Sequence, residues 1–191
     1  MFTVHRSLII DMDSNLAVIY LSILVGLLFF AVISIFRQIF KSRKQEGSFS
    51  KLRSKLTKES GTVKEYYQLA SIYSQKKLFS QSVNLFQKTI KAADEQEETD
   101  AQTEDYITLT YNGLGYAYFA QEQYDLAIRN YKEALKRQPE YVTALNNLAH
   151  AYERKKLNSQ ALESYEKVLE LDAKNAIAKR RVQSLRRLVA A

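Results

Sequence analysis

The stretch YNGLGYAY, Tyr111 to Tyr118, decides the fold. Asn112-Gly113 is the dipeptide most favoured in two-residue hairpin turns, and Gly113-x-Gly115 opens a dinucleotide fingerprint, which requires a preceding strand. A third reading is a helix that tolerates two glycines. Composition favours the third: one proline and five glycines in 191 residues, with 46% hydrophobic and 26% charged residues, suit long helices better than a turn-dense sheet. The expected class is all-α.

Self-similarity around the stretch settles its reading. Tyr111-x2-Leu114-Gly115-x2-Tyr118 is followed by Ala127-x3-Tyr131, Ala134 and Pro139. This resembles the tetratricopeptide pattern W-x2-L-G-x2-Y…A-x3-F…P with aromatic replacements. A step of 34 residues forward meets Leu145, Leu148, Ala149, Tyr152, Ala161 and Tyr165, with Val168 and Ala173 in the later Ala and Pro places. Backward lie Tyr66, Leu69, Ala70, Tyr73, Phe79 and Phe86, with Ser82 and Thr89 where alanines are expected and 11 residues inserted before the second repeat. Three helix–turn–helix repeats are expected, at 63–96, 108–141 and 142–175. Ala70, Gly115 and Ala149 should let each first helix approach its partner, with Ala127, Ala134 and Ala161 doing so from the second. Stacked repeats leave one apolar face open at the end. The stretch 176–191, with Ala178, Val182, Leu185 and Val189 at helical steps, fits a capping helix. The insertion 97–107, inside an acidic region, reads as a linker or a prolonged second helix.

Leu16 to Phe36 is 21 residues without a charge, 15 of them Leu, Ile, Val or Phe. A helix of that length rises roughly 31 Å, matching a hydrocarbon core of about 30 Å, so a transmembrane helix is expected over 16–36. Its apolar part exceeds that of a signal peptide, and Asp11 and Asp13 precede it where positive charge would be needed. The net charge of +7 is uneven: −1 over 1–36, +7 over 37–58, −4 over 59–106, zero over 107–175 and +5 over 176–191. By the positive-inside rule the basic block keeps everything after it on the cytoplasmic or stromal side and sends residues 1–15 across. Residues 37–62 read as a basic juxtamembrane tether, flexible over its Lys- and Ser-rich part at 41–60. Its Lys41, Arg43, Lys44, Lys51, Arg53, Lys55 and Lys58 could also hold the domain near anionic lipid.

The chain has no cysteine, which excludes disulfides and thiol ligands, and His5 and His150 lie far apart, so no metal or cofactor is expected. The middle of the chain carries no basic stripe interleaved with aromatics, so nucleic acid is not an expected partner. No catalytic constellation is found and an enzyme is not expected. The tetratricopeptide resemblance implies instead a concave groove that binds segments of other proteins. Projected onto this chain, its lining is Lys64, Tyr67 and Ser71, then Leu109, Asn112, Gly113, Tyr116 and Phe119, then Asn146, Asn147, His150 and Glu153. Asn112, Asn146 and Asn147 could hydrogen-bond an extended peptide backbone. The two-carboxylate clamp of chaperone-binding relatives needs Lys and Arg where this chain has Tyr67, Thr143 and Asn147, so a chaperone C-terminus is not the expected ligand. With Gly113 facing the groove, alanine there should be neutral or gain up to about 1 kcal/mol of helix propensity.

The single span, the flank RQIFKSRK and three repeats together resemble the small membrane-anchored tetratricopeptide proteins of cyanobacteria and plastids associated with photosystem I assembly; NLAVIYLSILVGLL with FRQIFKSRK carries the specific part. That resemblance implies a thylakoid protein whose repeats face the stroma or cytoplasm and hold photosystem I subunits or assembly factors. The same architecture also suits a protein-import receptor, or a bacterial inner-membrane factor for cofactor insertion or secretion.

Overall fold

The computed structural model describes the backbone at residues 2–96 and 100–189, and side chains at 18–40, 46–47, 49–96 and 100–189. Among these residues the protein is all helix: α1 (Phe2–Lys58), α2 (Val63–Gln75), α3 (Phe79–Asp94), α4 (Ala101–Ala120), α5 (Tyr124–Arg137), α6 (Val142–Arg154), α7 (Asn158–Leu171) and α8 (Ala176–Val189). The chain divides into two compact units, 1–50 and 51–191.

In the first unit, α1 carries the apolar stretch Val18–Phe40, 23 residues with a mean hydropathy of 2.8, none of it buried by protein. Its length and composition suffice to cross a membrane. Ser22, the one hydroxyl among its first six residues besides Tyr20, donates to the carbonyl of Val18 at 2.8 Å, so the helix satisfies it internally. The apolar stretch runs four residues past the expected end at Phe36, because Ile39 and Phe40 continue it beyond Arg37. The helix also persists where a flexible tether was expected, through Lys58. Residues 37–58 contain one glycine, Gly47, and no proline, and their Lys, Arg, Gln, Glu and Leu are good helix formers.

The second unit holds the last turns of α1 and the whole solenoid. After α1, Thr62 caps α2 in a capping box: the amide of Glu65 donates to Thr62 Oγ1 at 3.3 Å, and the amide of Thr62 donates to Glu65 Oε2 at 3.0 Å. Lys55 donates to the same carboxylate at 2.5 Å and holds Glu65 below its usual range.

The helix pairs α2/α3, α4/α5 and α6/α7 are the three repeats. Positions equivalent by the repeat period are buried alike. Phe86, Tyr131 and Tyr165 are 2%, 1% and 1% exposed. Ser82, Ala127 and Ala161 are fully buried, as are Thr89, Ala134 and Val168. The two hydroxyls in alanine places are satisfied locally, Ser82 donating to the carbonyl of Ala70 at 2.9 Å and Thr89 to that of Leu85 at 3.0 Å. A backbone feature recurs as well. Lys77, Glu122 and Lys156 each have φ of 60°, and the amide after each, of Leu78, Gln123 and Leu157, bonds back to the carbonyl of Tyr73, Tyr118 and Tyr152. This is the Schellman close of the first helix in every repeat, adopted here without glycine. Pro139 and Ala173 follow α5 and α7, whose last caps, Gln138 and Asp172, are extended.

The insertion prolongs the first helix of repeat two and not the second helix of repeat one. Helix α3 ends at Asp94, and α4 begins after Asp100, which accepts from the amide of Thr103 at 2.7 Å. At 20 residues against 13 for α2 and α6, α4 gains about two turns. Those turns bury Ile107 in a small cluster with Val63 and Ala93, which contributes part of the stability needed to order them. Helix α8 packs as a cap through Ala178, Val182 and Leu185, while Val189, expected on the same face, is 45% exposed at the helix end.

Candidate protein-binding groove

Two adjoining cavities occupy the expected groove. The first, about 330 Å³, is aromatic and lies along α2 and α4. It gathers Tyr67, Ser71, Leu109, Asn112, Gly113 and Tyr116, all expected, and adds Phe86 and Tyr141, which the repeat pattern alone did not assign to the groove. Tyr67 packs between Phe86 and Tyr106 with ring centroids 6.1 and 5.3 Å away. Tyr116 stands 47% exposed and meets Phe79 edge-on at 6.0 Å, leaving a face for a ligand.

The second cavity, about 550 Å³, lies between α6 and α8 and contains the expected Asn146, Asn147 and His150. Burial holds the His150 imidazole below its usual range; Arg181 and Arg154 push the same way and Glu153 opposes them. The His150 ring meets that of Phe119 at a tilt with centroids 4.8 Å apart, and Phe119 also meets Tyr124 edge-on at 5.3 Å. Phe119 thus packs against the groove helices and lines neither cavity, and Lys64 is likewise outside both.

An amide ladder joins the cavities. Asn147 Nδ2 donates to Asn112 Oδ1 at 3.1 Å, and Asn112 Nδ2 donates to the Tyr141 hydroxyl at 3.5 Å. Asn146 Nδ2 donates to the carbonyl of Val142 at 3.1 Å, while its buried Oδ1 has no hydrogen-bond partner among the described residues. Asn112 and Asn147 are therefore oriented by protein contacts, and because each uses only part of its amide they keep capacity for a backbone laid across them, whereas Asn146 Oδ1 is enclosed.

Gly113 differs from its expected place. A Cβ built on it would lie 2.8 Å from Cε2 of Phe86, a ring only 2% exposed, instead of in open groove. Overpacking of about 1–3 kcal/mol outweighs a helix-propensity gain of up to about 1 kcal/mol. Gly113→Ala should therefore lower the melting temperature; an unchanged or raised value would show that the Phe86 ring yields freely.

Comparison with known proteins agrees with this geometry. Residues 115–156 match a model described as TPR repeat, and residues 66–96 and 142–175 match one described as Tetratricopeptide repeat. The ycf37 protein of Cyanophora paradoxa is 40% identical over 93% of this chain and 99% of its own length. The chain belongs to the ycf37 family. A further relative of this ycf37-family chain is the chloroplastic tetratricopeptide repeat domain-containing protein PYG7 of Arabidopsis thaliana, 31% identical over 87% of the chain; the match spans about half, 53%, of that longer protein. Among solved structures, the first TPR of Spaghetti (RPAP3) bound to the HSP90 peptide SRMEEVD superposes with a TM-score of 0.59 at 16% identity, over 70% of this chain and 97% of that one. That likeness shows the fold. Tetratricopeptide repeats are protein-binding folds, typically non-enzymatic scaffolds.

Proposed function

We propose that this ycf37-family chain is a membrane-tethered scaffold that holds partner segments in its groove while a membrane complex, photosystem I, is assembled or stabilised. One observation carries the reading: the same chain joins a 23-residue apolar helix, none of it buried by protein among the described residues, to a groove whose amides are fixed in place. Tethering raises the effective concentration of groove and client on one membrane without adding a contact. The chloroplastic relative supports a thylakoid setting. The basic block after the apolar stretch supports a stromal or cytoplasmic groove, because positive flanks stay on that side.

Two measurements test this. In membrane vesicles with the stromal or cytoplasmic face outward, protease should digest the repeats and leave a short N-terminal fragment; full protection of the repeats would reverse the orientation. Asn112→Ala with Asn146→Ala should leave the melting temperature nearly unchanged, since both residues are only half-buried, yet weaken capture of photosystem I subunits from native membranes. Undiminished capture would remove the groove from the account.

A further inference from the structure

We propose that α8 does more than cap the solenoid: it is the fourth lining helix of the groove, and its Arg180 and Arg181 receive the acidic side chains of an extended partner segment. The inference rests on the reading of the groove as a protein-binding surface. It begins with register. The 34-residue step that carries Asn112 to Asn146 carries Asn146 to Arg180, and the step from Gly113 to Asn147 continues to Arg181. Both arginines line the larger cavity together with Asn146, Asn147 and His150.

Charge identifies the occupant. Among the described residues no carboxylate lines this cavity. Arg180 is exposed and takes part in none of the ion pairs found among the described residues; Arg181 reaches Glu153 only at 3.5 Å. Arg186, further along α8, is matched more closely, to Glu166 at 2.7 Å. A guanidinium presents a fork that suits a carboxylate, and the charged bond is about twice as strong as a neutral one. Successive residues on a helix are about 100° apart, so Arg180 and Arg181 approach the cavity from different directions and suit two carboxylates. The amides of Asn146 and Asn147, which line the same cavity, offer further hydrogen-bonding groups to the backbone of the same segment. The Asn147–Asn112 bond connects the basic cavity to the aromatic one, so a single extended chain runs past both. The fitting ligand is an internal stretch with acidic side chains beside apolar ones, as opposed to a free C-terminus.

The test uses the full chain in phosphatidylcholine nanodiscs and three acetylated twelve-residue probes read by fluorescence anisotropy. Each has a Leu/Tyr half. The second half is glutamate with an amidated end, glutamine with an amidated end, or glutamine with a free terminal carboxylate. The glutamate probe should bind about 10-fold or more tightly than either glutamine probe, and added salt should erase the difference. Arg180→Gln, at an exposed position that leaves packing intact, should reduce glutamate-probe affinity about 10-fold; Arg181→Gln should do likewise, with melting checked because Glu153 loses its partner. Equal affinity for all three probes, or no binding by any, overturns the proposal. So does tight binding of the free-carboxylate probe, which assigns the site to a chain terminus. Loss of binding to phosphatidylglycerol vesicles in Arg180→Gln with unchanged probe binding assigns it to lipid. Failure of the arginine site alone is distinguishable from failure of the groove: glutamine-probe binding that Asn112→Ala with Asn146→Ala weakens would leave the groove standing.

Discussion

Gly115→Leu is expected to destabilise the repeat unit by about 3 kcal/mol, at the top of the range for overpacking. Even a Cβ at this position would lie 2.5 Å from Cδ1 of Tyr131 and closer still to Cε1, and the ring it meets is 1% exposed. The ring cannot swing out, because Tyr131 sits in a continuous core with Ala127, Leu148, Ala149 and Tyr152. For a unit of this size the loss corresponds to a melting temperature lower by roughly 10 °C. Thermal denaturation of the full chain followed by circular dichroism measures it. An unchanged melting temperature would mean that α4 and α5 do not approach one another as the repeat requires.

Tyr131→Ala should cost more, about 3–5 kcal/mol, since it removes a ring from the centre of the solenoid and leaves a cavity between repeats two and three. Burial drives the phenol pKa upward, so the ring is un-ionised throughout the ordinary pH range. The two substitutions share one space. Leucine at 115 can enter the volume the ring vacates, so Gly115→Leu with Tyr131→Ala should lose less than the sum, with a coupling of about 0.5–3 kcal/mol. Strict additivity would place the two side chains in separate environments. Coupling of this kind distinguishes a packing clash from a general intolerance of leucine in α4.

The repeat period makes this contact legible in the sequence, because Gly115 and Tyr131 occupy fixed places in a pattern that also pairs Ala149 with Tyr165 and Ala70 with Phe86. What the sequence does not show has specific physical causes. The left-handed residues that end each first helix are Lys77, Glu122 and Lys156, so no glycine advertises the turns. The acidic insertion carries little apolar periodicity; only Ile107 and Ala93 reveal, once buried together, that its latter part belongs to α4. The serines of residues 41–58 suggest a flexible tether, whereas their lysines, arginines and leucines let α1 continue. In the groove, Tyr67, Asn112, Asn146 and Asn147 follow from projection of the repeat, but Gly113 does not face open space, because the Phe86 ring crossing it comes from the preceding repeat. Residues 176–191 look from the sequence like a capping helix alone; carrying the same 34-residue step one repeat further brings Arg180 and Arg181 to the groove.

On the proposed function, anchor and groove act together, and partner segments are held beside the membrane while photosystem I is put together. The most direct measurement is the ratio of photosystem I to photosystem II in a strain lacking the protein, grown normally, under high light and during recovery from photodamage. A lowered ratio is predicted, with intact transcripts for the photosystem I subunits. Restoration by the full chain is predicted as well, with little restoration by a chain without residues 1–40 at native abundance. Normal accumulation of photosystem I under all three conditions would contradict the proposed function.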